Sequence, residues 1–506
     1  MAGLLRSGML LGLALMVGRL AGFARELVLA SNFGLSVQAD VAIVLLTLPD
    51  LLVNLLLSGG LSVALVPALR SAGKKQAAAL FTQASMVVLA LFGVMALLLL
   101  MAPSLWLKPL APGIALPEGM RDGWIWALVA VAMPLTALSG VSSAALNARD
   151  RFFVAGCGTL IFNVCVIVAL WLAPKEMQGQ TMALVSLCIG IAVGALLRWL
   201  SQLAALRADL VGALSWQPWA LDRALLRSFG AGLAAASLLI LVPVLIRSGA
   251  SLLGEGKLAA FNYATKLVEL PLGILITTLA TVAFPRLSEL HARAEHKSFG
   301  ILLGSSLQRS LLLSLVVVLC GWQFVDAIID ILFVYGNLGT ESRMLLLDLV
   351  RIALFSVPCI GLSSLLTAAL NAKREPDVVL RCTVLALLAL PLICLPGVLA
   401  QSAQGLMWAL PAVHGLLALL LMRALHVRLS RSVLAACIPF LSAALLCISG
   451  WWIDAQSAVY LEVIPAFQQA LVRSFGAVVV FTLAATVGLW LINRGKRSNK
   501  NDEAFN

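Results

Sequence analysis

The feature that most limits this chain's fold is a succession of apolar segments, each near or beyond twenty residues, separated by short polar stretches. A helix of about twenty apolar residues matches the roughly 30 Å hydrocarbon core of a bilayer. Such segments fall at about 8–30, 37–69, 78–102, 123–147, 152–173, 181–205, 223–250 and 257–290. They continue at about 300–325, 343–371, 377–399, 405–427, 433–453 and 468–493. The pattern predicts an all-α polytopic membrane protein with about fourteen transmembrane helices. Only 11% of residues are charged and 61% are hydrophobic, whereas about a quarter of a soluble domain is charged. The second and eighth segments are over-long, and Pro49 and Pro271 predict breaks within them.

A formal net charge of +12 raises the question of nucleic acid, but the basic residues are spread over short loops rather than gathered in one patch. One set of alternate loops holds Arg70/Lys74/Lys75, Arg149/Arg151, Arg207, Arg286/Arg293/Lys297, Lys373/Arg374/Arg381 and Arg423/Arg428/Arg431. The other set holds little beyond Lys108, Arg121, Lys175, Lys257 and Arg343. With Arg494, Lys496, Arg497 and Lys500 of the tail counted in the first set, a bias of roughly four to one places it, with both termini, in the cytoplasm. The expectation is a multi-pass membrane protein. The largest outer loop is predicted at Ala102–Asp122, which holds Pro103, Pro109, Pro112 and Pro117.

The apolar run after Arg6 has the outline of a signal peptide, but Arg19 interrupts it and no convincing small-x-small cleavage site follows before the next polar cluster. It is read as a retained first helix. Nine cysteines occur, mostly inside apolar runs and without a C-x-x-C pair, and His291, His296, His414 and His426 lack metal-ligand spacing. Neither a metal centre nor a redox site is expected.

An internal repeat organises the chain. Pro134 to Asp150 reads PLTALSGVSSAALNARD, and Pro358 to Arg374 reads PCIGLSSLLTAALNAKR. Leu48-Pro49-Asp50-Leu51 returns as Leu270-Pro271-Leu272, and Val66-Pro67 returns within Phe284-Pro285-Arg286-Leu287-Ser288. All three matches are separated by about 220 residues, a regularity that marks duplication. Two six-helix lobes follow, over 1–215 and 216–430, related by a pseudo-twofold axis along the membrane normal. Residues 431–495 supply two further helices and 496–506 a cytoplasmic tail.

Charges inside the spans locate the candidate site, because a buried charge in a membrane needs a partner or a wet cavity. Arg19, Arg25, Glu26, Asp40 and Asp50 lie in the first lobe, and Lys266 and Glu269 precede Pro271 in the second. Gly12, Gly18 and Gly22 leave the first helix bendable and approachable. Cationic groups converging between two lobes suit a phosphate or pyrophosphate. The spacing of Lys266 and Glu269 also suits a pair on one helix face, as does that of Asp348 and Arg351. Arg198 and Arg309 are read as snorkelling to the interface, and Arg247 and Glu255 as outer-interface charges.

Several of these stretches resemble the MurJ/MviN family. Gly18-Arg19-Leu20-Ala21-Gly22-Phe23-Ala24-Arg25-Glu26, Phe33-Gly34, Ala39-Asp40, Leu48-Pro49-Asp50-Leu51-Leu52 and Val66-Pro67 look like its opening. Tyr263-Ala264-Thr265-Lys266-Leu267-Val268-Glu269-Leu270-Pro271-Leu272-Gly273 and Phe284-Pro285-Arg286-Leu287-Ser288 are similar to its eighth helix. The resemblance implies the MOP exporter fold shared with MATE transporters, and a flippase rather than an enzyme. The implied substrate is an undecaprenyl-pyrophosphate-linked saccharide, typically lipid II, carried to the outer leaflet by alternating access. It also implies Arg19, Arg25, Asp40, Lys266 and Glu269 as substrate-binding positions, no cofactor, and coupling to Na+ or the membrane potential. The implied partners are membrane lipids and the proteins of cell-wall or polysaccharide synthesis.

Four positions depart from the family pattern: Val53-Asn54 replaces an arginine pair, Ser58 an acid, and Lys266 an arginine. A paralogue serving exopolysaccharide or O-antigen synthesis would show such changes. A cation-coupled drug exporter is a further alternative, though a basic cavity suits cationic drugs poorly. A membrane glycosyltransferase would need acid and base groups that the outer loops carry only as Glu118, Asp122 and Glu255.

Overall fold

The computed structural model describes residues 2–55, 61–114, 123–173, 179–207, 221, 223–273, 277–333 and 339–426. Among them there are helices and connecting turns but no strand. The helices are α1 (Ala2–Phe33), α2 (Val37–Leu55), α3 (Leu61–Ser71), α4 (Lys74–Met101), α5 (Ser104–Leu110), α6 (Gly123–Ala148), α7 (Phe152–Trp171), α8 (Gly179–Leu206) and α9 (Arg223–Ser251). They continue as α10 (Lys257–Pro271), α11 (Thr277–Ala292), α12 (His296–Phe333), α13 (Thr340–Leu354), α14 (Ser356–Ala372), α15 (Pro376–Leu399), α16 (Ala403–Met407) and α17 (Ala409–Ala424). Eight of the described helical stretches are long and apolar enough to cross a membrane. The expected helices in 431–495, the tail, and Ser58 lie outside the described residues.

The chain divides into two compact units. The first comprises Met1–Lys266 with Tyr335–Leu346 and Cys394–Leu406; the second comprises Leu267–Val334, Leu347–Ile393 and Met407–Asn506.

In the first unit α6 is the central post, packed against α2, α3, α4, α7 and α8. In its most apolar window 72% of residues are buried, against 28% for α4 and α7. The outer face of α4 exposes Met86, Leu89, Leu91, Val94, Leu97 and Leu98, a surface suited to lipid rather than water. Small residues let α6 and its neighbours come close. Ser139 Oγ donates to Gln202 Oε1 of α8 at 2.8 Å, and Gln202 Nε2 donates to Ser143 Oγ at 2.8 Å. Such bonds hold helices together where the hydrophobic effect does not separate helix from lipid.

Close packing of α7 on α8 depends on Gly190 and Gly194, one turn apart. A Cβ at Gly190 would lie 2.8 Å from Ala169 Cβ and 3.1 Å from Val166 Cα. Gly190→Val is expected to destabilise the protein by about 1–3 kcal/mol through overpacking. Gly93 on α4 has nothing within 4 Å, so Gly93→Ala is expected to melt like the wild type. Thermal unfolding of both variants in detergent checks the contrast, and equal melting temperatures would refute it.

In the second unit α14 takes the central place, packed on α11, α12 and α17. Leu365, Leu366, Ala369 and Leu370 are fully buried there. The two sequence repeats thus form α6 and α14, the central helices of their units, and they end alike. Asp150 (φ 57°) and Arg374 (φ 63°) both adopt the left-handed conformation. Arg151 N–H then reaches back to Leu146 O at 2.9 Å, and Glu375 N–H to Leu370 O at 3.0 Å. These are two copies of one Schellman cap. The corner is finished differently in each copy. Arg70 of α3 pairs with Asp150 in the first, whereas Arg374 lines a groove of about 550 Å³ with Ser288 and His291 in the second.

The prolines behave less uniformly than expected. Pro271 ends α10, and a wider turn follows at 272–273. Pro49 does not break its segment; α2 runs through it to Leu55. A membrane helix tolerates the lost backbone bond when neighbouring helices enclose it. The expected outer loop is also more ordered than a loop, because α5 forms within it. Ser248 Oγ of α9 donates to Pro109 O at 2.8 Å, and Gly113 N–H to Ser251 Oγ at 3.1 Å.

Candidate functional site

The first unit holds a buried ionic cluster centred on Arg25. Helix α1 approaches α7 along the face of Gly18 and Gly22, next to Thr159 and Asn163. Arg25 follows Gly22 by about one turn and is 5% exposed. Its Nη1 donates to Asn163 Oδ1 at 3.1 Å. Its Nη2 donates to Glu26 Oε1 at 2.7 Å and to Asp50 Oδ2 of α2 at 2.9 Å. Buried charges at such distances are held by charge-assisted bonds.

A second layer fixes Glu26. Asn262 of α10 donates from Nδ2 to Glu26 Oε2 at 2.8 Å, and Arg247 of α9 donates from Nη1 to Asn262 Oδ1 at 2.9 Å. Arg247 also donates from Nε to Pro243 O at 3.1 Å. Proline lacks the N–H that would continue the backbone ladder, and its helix carries the arginine that reaches across. Arg198 of α8 is 3% exposed, and its Nε has no hydrogen-bond partner among the described residues. Arg198 and Lys266 both act electrostatically on Asp50. The cluster therefore gathers three cations, Arg25, Arg198 and Lys266, around Asp50 and Glu26. Arg247 borders it through Asn262.

Asp40, also singled out by the sequence, is 2% exposed and serves another helix. Its Oδ2 accepts from Gly256 N–H at 2.8 Å and its Oδ1 from Ala259 N–H at 2.7 Å. These are orphan donors at the start of α10, where the helix dipole favours negative charge. Gly256 adopts φ 71°, and a Cβ there would lie 2.6 Å from the Leu35 carbonyl carbon. A glycine is needed at the position where a capping side chain would normally sit, and Asp40 caps α10 from α2 instead.

The remaining expected site residues are placed as follows. Arg19 is exposed on α1. Lys266 is half-buried on α10 within the first unit, and Glu269, exposed on the same helix, belongs to the second. Val53 and Asn54 lie on α2. Four members of the cluster, Asn163, Asn262, Arg198 and Arg247, were not among the expected site residues. Asn163 and Asn262 carry no charge to draw the eye, although an amide in an apolar run is itself a signal. Arg198 does not snorkel but is buried, and Arg247 is tied inward to Asn262. In the second unit, Arg351 donates to Asp326 of α12 at 2.8 Å, a partner that the expected pairing with Asp348 did not include.

The family model for the lipid II flippase MurJ matches residues 29–472. The chain belongs to that family. Among curated members, the lipid II flippase MurJ of Burkholderia cenocepacia is 25% identical over 380 residues, covering 71% of this chain and 72% of that protein. The probable lipid II flippase MurJ of Aquifex aeolicus is 22% identical over 386 residues, covering 75% of this chain and 74% of that one. A solved MurJ structure in the inward closed conformation aligns with a TM-score of 0.80 at 16% identity, over 95% of this chain and 98% of the other. An inward-facing MATE transporter of the MOP superfamily aligns with a TM-score of 0.64 at 14% identity, over 85% and 98%. This MurJ-family chain thus has the MOP fold and is a multi-pass membrane transporter.

Proposed function

We propose that the protein flips lipid II, an undecaprenyl-pyrophosphate-linked saccharide, from the cytoplasmic to the outer leaflet of the bacterial inner membrane. Family membership supplies the substrate class, and the buried Arg25 cluster carries the reading on this chain. Arg25, Lys266 and Arg198 all act on the Asp50 carboxylate. Cations gathered inside a membrane protein mark a site where an anion visits. Guanidinium groups bind pyrophosphate oxygens in pairs, while Lys266 adds a point charge.

The head group enters from the cytoplasmic side, towards which the basic loops and both termini face, and the polyprenyl tail stays in lipid. Arg19 and Glu269 serve the passage of the head group rather than its phosphate contact, and Asp40 keeps α10 in position. Direction comes from an ion gradient or from the membrane potential, since one charge moved across 100 mV is worth about 2.3 kcal/mol. Enzymes that load or consume the lipid-linked sugar are the natural partners.

Rescue of a bacterium depleted of its own lipid II flippase tests the assignment. The wild-type chain is expected to restore growth and normal shape. Failure, with membrane insertion demonstrated, would sink lipid II as the substrate. It would direct attention to exopolysaccharide and O-antigen carriers and to Val53-Asn54 as the origin of the altered specificity.

A further inference from the structure

Arg25 uses three of its five N–H donors on neighbouring side chains, and its Nε meets no hydrogen-bond partner among the described residues. An Nη nitrogen carries two N–H donors, and those of Arg25 Nη2 are taken by Glu26 and Asp50. A pyrophosphate that pairs with Nη2 displaces one of them. The two carboxylates are not equivalent. The Glu26 side chain is 6% exposed, and its second oxygen is anchored by Asn262, itself held by Arg247. The Asp50 side chain is 41% exposed, and its bond to Arg25 is the only hydrogen bond it makes among the described residues. Glu26 is the fixed partner, and Asp50 is the one that can leave.

We propose that Asp50 is an internal stand-in for the substrate's pyrophosphate, holding Arg25 between transport cycles and yielding it when the anion arrives. The inference rests on the reading that this cluster receives a polyprenyl pyrophosphate. Arg198 and Lys266 already act on the Asp50 carboxylate, so it has countercharges when it lets go. An exchange of one anion for another keeps Arg25 from standing as an uncompensated buried charge at any stage. Asp50 then sets affinity by competition. It also favours release of the substrate on the far side, where it can reclaim the guanidinium. If Asp50 were instead a permanent structural counter-ion, it would be expected to be as enclosed as Glu26.

Binding of farnesyl pyrophosphate to the purified full-length protein in detergent, with farnesol as the uncharged control, tests the idea. If the Asp50-bound form makes up about nine-tenths of the population, Asp50→Asn tightens pyrophosphate binding about tenfold, because the competent fraction rises accordingly. Asp50→Glu, which keeps the competitor, stays near the wild-type affinity, and Asp50→Ser serves if the asparagine variant is poorly folded. Affinity in both charge-removing variants equal to or weaker than wild type overturns the stand-in role. Absence of pyrophosphate binding in the folded wild type, or equal binding of farnesol, removes the pyrophosphate reading itself and the role with it. Tighter binding accompanied by slower flipping in vesicles is the result that supports the proposal, since a substrate held more firmly leaves more slowly.

Discussion

Arg25→Ala abolishes flipping and lowers stability, and the two losses separate when a second substitution is added. Deleting the guanidinium leaves Glu26 and Asp50 without the cation that bridges them and frees the Asn163 oxygen. Removing one member of a buried ionic group costs about 3–5 kcal/mol, because the partner charge stays buried. Glu26→Gln in the same chain removes the charge that is left buried and is expected to return part of the melting temperature. It does not restore transport, since the group that would hold the pyrophosphate is still missing. Flux in reconstituted vesicles and thermal unfolding, measured on both variants, check the prediction. Wild-type flux in Arg25→Ala would remove the cluster from the transport path.

Asp40→Ala is expected to be the most damaging substitution outside that cluster. It strips two buried acceptors from the start of α10, leaving the N–H groups of Gly256 and Ala259 unmet. Hydrogen bonds to a charged group contribute about 1.5–3 kcal/mol each, so the loss is on the order of 3 kcal/mol or more. Asn262 and Lys266 ride on α10, and a frayed first turn would move them as well. Asp40→Asn offers one carbonyl acceptor in place of two carboxylate oxygens and is expected to fall between alanine and wild type. The ranking of the three melting temperatures tests the cap. An alanine variant as stable as the wild type would show that water replaces the carboxylate at no cost.

Much of the fold could be read from the sequence because a membrane span has one dominant requirement. The runs expected at 123–147, 152–173 and 377–399 became α6, α7 and α15 with ends displaced by no more than a few residues. The repeat was legible for a different reason. Matching proline, asparagine and small residues fix the central helix of each unit and the turn that closes it, as the paired conformations of Asp150 and Arg374 show. Interruptions were harder, since Pro49 resembles Pro271 in sequence while one continues a helix and the other ends it. The candidate site was legible where a charge stood alone among apolar residues, as at Arg25. It was hidden where roles depend on what lies across a helix interface. Asn163 meets Arg25 from 138 residues away, and Arg198 is enclosed rather than directed to the interface. Asp40 resembles a cavity carboxylate in one dimension, and only the position of α10 reveals both of its oxygens in use.

The same cap sets a timetable for synthesis. Asp40 and Gly256 are 216 residues apart in the chain, and ribosomes add about 5–20 residues per second. For roughly 10–40 s, then, α2 exists without the donors that will satisfy its carboxylate. A bare carboxylate is poorly tolerated in hydrocarbon, so during that interval the group stays hydrated or takes up a proton. The start of α10 brings its two donors. The start of α10 is therefore needed to satisfy a carboxylate made 216 residues earlier, and a nascent chain halted before Gly256 leaves Asp40 without either donor.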